Sequence, residues 1–310
     1  MRALVTGADG FVGRWLSRHL ESAGDEVHQL RGQQEASGPG DAVDLRDRAA
    51  LSLAVAEARP EAVYHLAAVS FGPEAAGDPD GALAVNAFGT ANLLQACRGQ
   101  PEPPFVLVVS SAEVYAPLAD RPILESDPLL PSNVYGATKL AQEAIALAYE
   151  RAGRLPVAVV RPFNHIGPGQ RPQFVVPSFA RQLARIQLGL QEPEVRVGNL
   201  AAIRDFSDVR DVVRAYRLIV AAGLHGRPLN VASGEGTQLG ELLAALIEIS
   251  GVPASVRVDP ERLRSLDVPS VVGNASVLTG LTGWRPQFSL SESLQAVWQD
   301  ARDRFASDGT

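Results

Sequence analysis

Cysteine and metal-ligand patterns are scarce in this chain of 310 residues. Cys97 is the only cysteine, which excludes a disulfide framework and a cysteine-based metal site. The five histidines follow no spacing typical of metal ligands; they are His19, His28, His65, His165 and His225. We therefore expect no metal in this protein.

Long apolar stretches are scarce as well. No segment approaches the roughly 20 apolar residues that a membrane-spanning helix needs. The N-terminal "MRALVTG" runs from the initiator methionine into an apolar strand, which leaves no room for a signal peptide. The net charge of −7 argues against nucleic acid as the main partner, although arginines gathered in a cleft would still bind an anionic small molecule. We expect a cytoplasmic protein that binds neither a membrane nor nucleic acid.

The first half of the chain alternates short apolar segments with helical patterns. Strands apolar on both faces are predicted at 2–6, 26–30, 62–66, 105–110 and 157–162, with helical periodicity between them. Strict alternation of strand and helix implies right-handed βαβ units. The sequence therefore predicts an α/β fold of the Rossmann type, a doubly wound parallel sheet whose ligands bind beyond the carboxyl ends of the strands.

The pattern loosens after residue 165. Segment 166–200 is rich in proline, glycine and glutamine around one helical stretch, and two further helices with a strand between them follow. We predict a Rossmann domain that binds the cofactor at 1–165, to which parts of about 200–232 return. A smaller, interleaved substrate-binding domain would be mostly 166–310.

Two of the predicted helices, 80–98 and 132–152, carry apolar residues on more than one face. A helix that is apolar all round must be covered on its outer side too. Pairing of these two helices with a second subunit would cover them, and it predicts a homodimer. The alternative is that loops of the same chain cover them.

The stretch "TGADGFVG" places Gly7, Gly10 and Gly13 directly after the first strand, where they open the first helix. Glycines at this spacing permit a tight turn and let backbone N–H groups at the helix N-terminus approach a pyrophosphate. A strand-to-helix turn with no ligand would usually need only one glycine and seldom has three at this spacing. The spacing predicts a dinucleotide cofactor.

The end of the second strand, "HQLRGQQ", indicates which dinucleotide. NAD sites usually place an acid there for the ribose hydroxyls, but this chain has none until Glu35 and places Arg31 just past the strand. An arginine at that point pairs well with a 2′-phosphate, so we expect NADP(H), with NAD(H) as the alternative if Arg31 is an ordinary surface residue. Asp44 in "VDLRD" either caps the next helix, which we favour, or reaches toward the adenine.

Tyr135 and Lys139 in "VYGATKLAQE" lie four residues apart on one face of a predicted helix. Taken alone, the pair fits an ordinary amphipathic helix. A phenol has a pKa of about 10, so it moves protons poorly at neutral pH unless a nearby ammonium and a positive nicotinamide ring favour its ionised form. Beside a nicotinamide cofactor, Tyr135 would give a proton to a developing alkoxide, or take one in reverse.

Six motifs in this order resemble the extended short-chain dehydrogenase/reductase family across nearly the whole chain: "TGADGFVG", "YHLAAVS", "VVSSAEVY", "YGATK", "RPFNHIGPGQ" and "RDFSDVRD". The resemblance implies that Tyr135 and Lys139 are the family's catalytic Y-x-x-x-K pair and that Ser111 hydrogen-bonds the reacting oxygen. Lys139 would also hold the nicotinamide ribose. Further residues are implied to contact the cofactor: Phe11, Val12, Asp44, Leu45, Leu66, Ala67, Ala68 and Pro162. His65, at the end of the third strand, is expected to be a packing residue.

The family includes reductases, 4,6-dehydratases and epimerases of nucleotide sugars, and "RPFNHIGPGQ" and "VGNLAAIRDFSDVRD" are most similar to reductases. This similarity implies reduction of the C4 keto group of a GDP-linked 4-keto-6-deoxyhexose. It also implies a sugar-nucleotide site whose side chains suit a diphosphate and ribose hydroxyls: Asn164, Arg181, Arg204, Arg264 and Asp267. For each arginine, the alternative is an exposed salt bridge.

Glu113 keeps the alternative reactions open. In the family's dehydratases a glutamate at the matching position removes a proton from C5 of the sugar, whereas in a reductase it would hydrogen-bond the substrate. We favour a reductase over a GDP-mannose 4,6-dehydratase, with a 4-epimerase third. A non-catalytic, NADP-sensing regulator is disfavoured, because such proteins usually lack the Tyr–Lys pair. The reductase pattern has a glycine where this chain has Ala116 and a proline where it has Ser265. We therefore expect the local backbone geometry to differ at these two positions.

Overall fold

The computed structural model describes residues 1–32, 42–117, 121–263 and 268–308. The strands are β1 (Arg2–Thr6), β2 (Glu26–Leu30), β3 (Ala62–His65), β4 (Phe105–Val109), β5 (Val157–Pro162), β6 (Asn164–Ile166), β7 (Glu194–Val197), β8 (Ile203–Asp208), β9 (Pro228–Val231), β10 (Gly236–Gln238), β11 (Ser255–Val258) and β12 (Ser270–Val271). The α-helices are α1 (Phe11–Ser22), α2 (Arg48–Ala58), α3 (Gly72–Gly77), α4 (Pro79–Leu83), α5 (Thr90–Arg98), α6 (Val134–Arg151), α7 (Val175–Gln187), α8 (Val209–Ala221), α9 (Leu239–Ser250), α10 (Ser276–Thr282) and α11 (Leu290–Asp308). A π-helical segment lies at Ala84–Gly89, and 3-10 turns lie at Ala112–Val114 and Pro260–Arg262.

Six strands form one parallel sheet in the order β2-β1-β3-β4-β5-β9. β1 pairs with both β2 and β3, so that Ala3 lies between Val27 and Ala62. This order is that of a doubly wound Rossmann-type sheet and confirms the predicted fold class. The order reverses at β1, and the carboxyl end of this strand is the point at which such sheets bind ligands.

Helices cover both faces of this sheet, because its strands are apolar on both sides. One face packs against α1 and α8 through side chains such as Leu16 and Val212. The other face packs against α2, α5 and α6 through side chains such as Leu51, Leu94 and Ala146. The edge strand β9 comes from the C-terminal half of the chain, so that half also contributes to the main sheet.

Among the described residues, the other six strands form two smaller sheets, which together with α7, α9 and α11 make up a second, smaller unit. β8 pairs with β6, β10 and β12, while β7 pairs with β11. The helices α7, α9 and α11 enclose an apolar cluster that includes Phe206 and Trp298. The sequence pattern predicted α7, α8 and α9, although it gave no indication of β8.

The strand β8 was missed because its sequence, "IRDFSD", reads as a polar loop. Its carboxylates are nevertheless buried. Asp205 accepts hydrogen bonds from the backbone N–H groups of Ser233, Gly234 and Gly273. Burial raises the pKa of Asp205, and these donors replace the water that the carboxyl group has lost.

The helix predicted at 80–98 is interrupted by the π-helical segment between α4 and α5. This segment carries Asn86, which is fully buried. Its amide accepts from the N–H of Val69 at 2.8 Å, and it donates to the carbonyl of Val69 at 3.1 Å and to Oγ1 of Thr138 at 2.9 Å. Asn86 therefore ties the loop after β3 to α6, in a kind of helical interruption that is common near functional sites.

The expectation that Asp44 caps the helix after β2 is wrong. Asp47 is the N-cap of α2, because its carboxylate accepts from the N–H groups of Ala49 and Ala50, both at 3.0 Å. Asp44 instead forms a salt bridge with Arg46 at 2.6 Å, and this hydrogen-bonded partner lowers the pKa of Asp44. Asp44 thus shapes the turn before α2 and does not begin the helix.

Within the described ranges, no helix combines the length and the apolar character that crossing a bilayer requires. The same residues contain no cluster of three or more His, Cys, Asp or Glu side chains that could hold a metal ion. Cys97 is a buried free thiol, and burial raises its pKa to about 12. A thiol in such surroundings is unreactive.

Candidate active site

The glycine turn lies at the switch point of the main sheet, between β1 and α1. Gly7 has a positive φ of 67°, and a Cβ there would come within 2.9 Å of the backbone of Ala67. A Cβ on Gly13 would lie 2.0 Å from the carbonyl oxygen of Gly7, so the turn closes only with glycine at both positions. Gly10 is the N-cap of α1 and has no side chain to cap it. The first backbone N–H groups of α1 thus suit a phosphate, which fits a dinucleotide.

Small and apolar side chains surround this turn. Leu66, Ala67 and Ala68 follow β3 and are half-buried, and the backbone of Leu66 and Ala67 lies beside Gly7. The N–H of Ala67 donates to Oγ1 of Thr6 at 3.2 Å, which fixes the segment against the end of β1. The structure therefore brings the predicted cofactor residues after β3 next to the glycine turn.

Phe11, at the start of α1, stacks on the imidazole of His165 with the ring centroids 6.1 Å apart and 7° between the ring planes. Val12 follows it in the first turn of α1 and packs against the apolar cluster between the main sheet and helices α1 and α8. Pro162 is buried at the carboxyl end of β5. Leu45 is buried and packs against Gly89, away from the exposed surface.

His65 is a packing residue, as expected. Its two ring nitrogens hydrogen-bond Oγ1 of Thr6 at 2.8 Å and Oγ1 of Thr90 at 2.7 Å. Burial lowers the pKa of His65 to about 3, with the charge of Lys139 as a smaller cause. The imidazole is therefore neutral and bonded on both sides, which leaves it no proton to exchange with a ligand.

Arg31 lies just past β2, half-buried, and donates to Oε1 of Gln29 at 3.1 Å. The sequence interpretation missed a second charged residue here. Asp9, within the glycine turn, accepts from the N–H of Gly32 at 3.3 Å. The segment at the end of β2 therefore faces both a guanidinium and a carboxylate. The position of Asp9 inside "TGADGFVG" could have indicated this carboxylate from the sequence.

Ser111 and Tyr135 come together at the carboxyl end of β4. Ser111 is the N-cap of the 3-10 turn, where its Oγ accepts from the N–H of Glu113 at 3.1 Å. The first turn of α6 packs directly on this turn, because a Cβ on Gly136 would lie 2.3 Å from the carbonyl oxygen of Glu113. Tyr135, half-buried, is close enough to hydrogen-bond Ser111.

The ionisation of Tyr135 differs from the sequence-based expectation. Burial is the largest cause and raises the pKa of Tyr135, and the negative charge of Glu113 raises it further. Only the hydrogen bond with Ser111 lowers it. The expected lowering by Lys139 is absent among these causes, so the phenol is held in its protonated form.

Lys139 lies one helical turn beyond Tyr135 and is only 2% exposed. Its Nζ donates to the carbonyl oxygen of Val109, the last residue of β4, at 2.5 Å. Burial lowers the pKa of Lys139 to about 7, against which the negative charge of Glu143 acts. Lys139 is also the only lysine in the sequence, a signal that the spacing argument did not use.

Ser110 and Ser111 have distinct surroundings, although they are adjacent. Ser110 is buried and donates to Oε2 of Glu143 at 3.1 Å. Glu143 forms a buried ion pair with Arg161 on β5. Ser110 therefore belongs to the interior beneath α6, and Ser111 is the serine that faces Tyr135.

The substrate residues suggested by the resemblance are only partly brought together. Asn164 is exposed at the start of β6, directly after β5, and lies opposite Phe206 of β8. Arg204 is two residues from Phe206, so it projects from the same face of β8. It donates to the carbonyl oxygens of Ile203 and Val268, both at 2.8 Å.

Four other candidates remain, of which two lie within the described residues. Glu113 is exposed beside Tyr135 and accepts from Nδ2 of Asn133 at 2.6 Å. Arg181 lies on the exposed side of α7. Arg264 and Asp267 lie outside the described residues, as do Glu35 and Ser265.

Comparison with known proteins gives the family. The sequence profile of a family described as GDP-mannose 4,6 dehydratase matches residues 4–297. The chain belongs to this family. Membership confirms the resemblance found in the six motifs and, with it, the enzyme class: a nicotinamide-dependent oxidoreductase of nucleotide sugars.

The similar proteins include both a reductase and an epimerase. The chain is 37% identical to GDP-6-deoxy-D-mannose reductase of Pseudomonas aeruginosa over 305 residues, 98% of each sequence. The solved structure of RMD from Pseudomonas aeruginosa, complexed with NADPH, matches with a TM-score of 0.88 at 36% identity and covers 98% of this chain and 100% of that one. Thermus thermophilus UDP-glucose 4-epimerase, complexed with NAD, gives a TM-score of 0.84 at 30% identity and covers 97% and 99%.

We predict that Lys139 titrates with a midpoint of about 7, well below its ordinary 10.5. Between these pH values the unfolded chain keeps a proton that the folded protein has lost. Burial of Lys139 therefore destabilises the folded state fully below pH 7, where the buried amine is charged. This destabilisation decreases as the pH rises from about 7 to 10.5. Because the chain has one lysine, lysine-specific ¹⁵N labelling gives a single side-chain NMR signal to follow. A midpoint at the ordinary value would contradict the burial of Lys139.

Proposed function

We propose that the protein reduces the C4 keto group of GDP-4-keto-6-deoxy-D-mannose with NADPH and forms GDP-D-rhamnose. The observation that carries the proposal is that Tyr135 and Ser111 come together at the carboxyl end of β4, with Nζ of Lys139 bonded to the last residue of that strand. Reduction of a ketone consumes a proton, and a protonated phenol is the group that supplies one. The 37% identity to a GDP-6-deoxy-D-mannose reductase supports the same assignment.

The cofactor in this proposal is NADP(H), with NAD(H) as the weaker ligand. The glycine turn would hold the pyrophosphate at the N-terminus of α1, and Arg31 would pair with the 2′-phosphate. Bound NADPH supplies the hydride that C4 accepts. We propose that residues 1–165, with parts of about 200–232, bind the cofactor, and that 166–310 mostly bind the sugar nucleotide.

Each residue around C4 has a defined role in the proposed reaction. Tyr135 gives its proton to the alkoxide oxygen that forms on C4. Ser111 Oγ accepts from the N–H of Glu113, so its own hydroxyl proton can be donated to the same oxygen when substrate is bound. Lys139 holds the nicotinamide ribose from beneath, and its Nζ is already directed to the end of β4.

The sugar nucleotide would lie across the two units. Asn164 directly follows β5 and is exposed. We propose that it binds the substrate together with Arg204 and the more distant Arg181, and that the diphosphate is the group that the arginines contact. Arg264 and Asp267 complete the proposed set from the sequence resemblance alone.

A second candidate function is a GDP-mannose 4,6-dehydratase, which the exposed carboxylate of Glu113 beside Tyr135 favours. The two functions differ in what happens to the cofactor. A dehydratase, like a 4-epimerase, regenerates its cofactor in every cycle and tends to retain it. A reductase must exchange the cofactor at every turnover, so the purified protein should carry little bound dinucleotide.

We also propose that the enzyme is a homodimer through α5, α6 and the neighbouring segments. Phe88 is 62% exposed and Leu83 is 39% exposed on the helical segment that packs beside α6. On α6 itself, Ala137, Ala144 and Ala148 are exposed, and small residues allow another helix to approach closely. The loops that the structure describes leave these side chains uncovered, which favours coverage by a second subunit.

We predict that Tyr135→Phe lowers the rate of NADPH oxidation by about 100-fold or more, because the variant loses the proton donor and keeps the ring. The assay supplies GDP-4-keto-6-deoxymannose and follows nicotinamide absorbance. Tyr149→Phe is the matched control, since Tyr149 is on the same helix and donates to Gln95 at 3.1 Å. A Tyr135→Phe enzyme as fast as the Tyr149→Phe enzyme would refute the assigned role.

Arg31→Ala should lower the preference for NADPH over NADH by roughly tenfold or more, because a charge-assisted bond to the 2′-phosphate is lost. The measurement is the ratio of kcat/KM with the two cofactors. Arg46→Ala is the control, because Arg46 is nearby and bonded to Asp44. An unchanged ratio in Arg31→Ala would mean that another residue binds the phosphate.

Phe88→Glu should weaken the dimer about tenfold or more, since it places a charge in the apolar contact. Sedimentation velocity over a range of protein concentrations measures the dissociation constant. Leu53→Glu, on the exposed side of α2, is the control for an added surface charge, because Leu53 is 66% exposed. A wild-type protein that sediments as a monomer would contradict the proposed dimer.

A further inference from the structure

Asn133 forms hydrogen bonds in two directions. Its Oδ1 accepts from the N–H of Gly136 at 2.8 Å and caps α6, the helix that carries Tyr135. Because the capping bond uses the oxygen, the amide nitrogen must face the other way. This Nδ2 donates to Oε2 of Glu113 at 2.6 Å.

Glu113 is held at three points around Tyr135. Its N–H donates to Oγ of Ser111 at 3.1 Å, and its carbonyl oxygen lies against Gly136, where a Cβ would be 2.3 Å away. Its carboxylate is held by Asn133. The backbone of Glu113 is therefore fixed relative to α6, and Asn133 restricts the remaining freedom, the rotation of the side chain.

The Asn133–Glu113 hydrogen bond forms although both residues are exposed. An exposed hydrogen bond usually contributes little, because ordering two side chains costs conformational entropy. Here the helix cap has already ordered the amide of Asn133. The bond to the charged carboxylate therefore restrains only one further side chain, and it is of the stronger, charge-assisted kind.

On a 4-keto sugar, the position of this carboxylate decides whether it can remove a proton from carbon. The keto group acidifies the hydrogens on both flanking carbons, C3 and C5. A carboxylate aimed at one of them could remove the proton and leave an enolate, and the proton returned afterwards would come from water. A carboxylate oxygen that already accepts a charge-assisted bond from the helix-capping amide is held in place, so it is not free to turn toward the carbon.

We propose that Asn133 is a positioning residue that determines which reaction the site performs. Its amide holds Glu113 as a fixed acceptor beside Tyr135 and keeps the carboxylate from acting as a base on the substrate carbons. This inference rests on the proposed reduction of a 4-keto sugar. It also gives Glu113 a role in a reductase, as an acceptor for a substrate hydroxyl.

The test replaces Asn133 by aspartate. Aspartate caps a helix as well as asparagine does, but it presents a second carboxylate where Nδ2 stood and repels Glu113. Asn133→Ser also keeps a capping oxygen and adds no charge. Circular dichroism establishes that both variants are folded. Each protein is incubated with GDP-4-keto-6-deoxymannose and NADP⁺ in D₂O, and NMR measures deuterium at C3 and C5.

We expect the wild-type protein to add no deuterium beyond the exchange measured without enzyme. Both Asn133 variants should raise incorporation at one flanking carbon by about tenfold or more. Adding Glu113→Gln to Asn133→Asp should abolish this increase, because the base is then removed. Incorporation no higher in the folded variants than in the wild type would overturn the role of Asn133.

A parallel assay with NADPH separates this result from the proposed function. Absence of NADPH oxidation by the wild type contradicts the reductase itself. NADPH oxidation by the wild type, with unchanged deuterium exchange in the Asn133 variants, contradicts only the role of Asn133. Rapid exchange by the wild type contradicts the fixed position of Glu113.

Discussion

The contact between the first turn of α6 and the backbone of Glu113 is the constraint on which the proposed active site depends. A Cβ on Gly136 would lie 2.3 Å from the carbonyl oxygen of Glu113 and 2.9 Å from Cβ of Pro131, so only glycine permits it. The contact places Tyr135 beside Ser111, and it places Asn133 where its amide reaches Glu113. A wider separation would leave the helix intact and separate the residues of the site.

Beneath this contact the interior is polar and tightly bonded. Lys139, Glu143 and Arg161 are each about 2% exposed. Glu143 is one turn beyond Lys139 on α6 and is the only charge among the stated causes that favours the ammonium form of Lys139. Breaking a buried ion pair such as Glu143–Arg161 typically costs about 3–5 kcal/mol, because one charge is left without a partner. The pair thus anchors α6 to β5 behind the proposed proton donor.

The first half of the fold could be predicted from the sequence, because buried parallel strands have a simple pattern. The predicted bounds of β1, β2 and β5 agree with the structure, and those of β3 and β4 extend one residue too far. β8 could not be predicted in the same way, since its buried Asp205 depends on donors from distant loops.

Parts of the site could not be predicted from the sequence for similar reasons. "VDLRD" offers two acids three residues apart, and the path of the chain decided that Asp47, and not Asp44, caps α2. The spacing of Tyr135 and Lys139 was informative, but it could not show that burial outweighs charge and raises the pKa of the phenol. The bond between Asn133 and Glu113 joins residues 20 positions apart and required the structure.

The central claim is that NADPH reduces C4 of a 4-keto sugar while Tyr135 supplies the proton to the oxygen. Its most direct measurement uses NADPH deuterated at the transferable position of the nicotinamide, with GDP-4-keto-6-deoxymannose as substrate and NMR of the sugar produced. We expect deuterium at C4, in an amount equal to the NADP⁺ formed. A sugar without deuterium at C4, or deuterium there without net oxidation of NADPH, would contradict it.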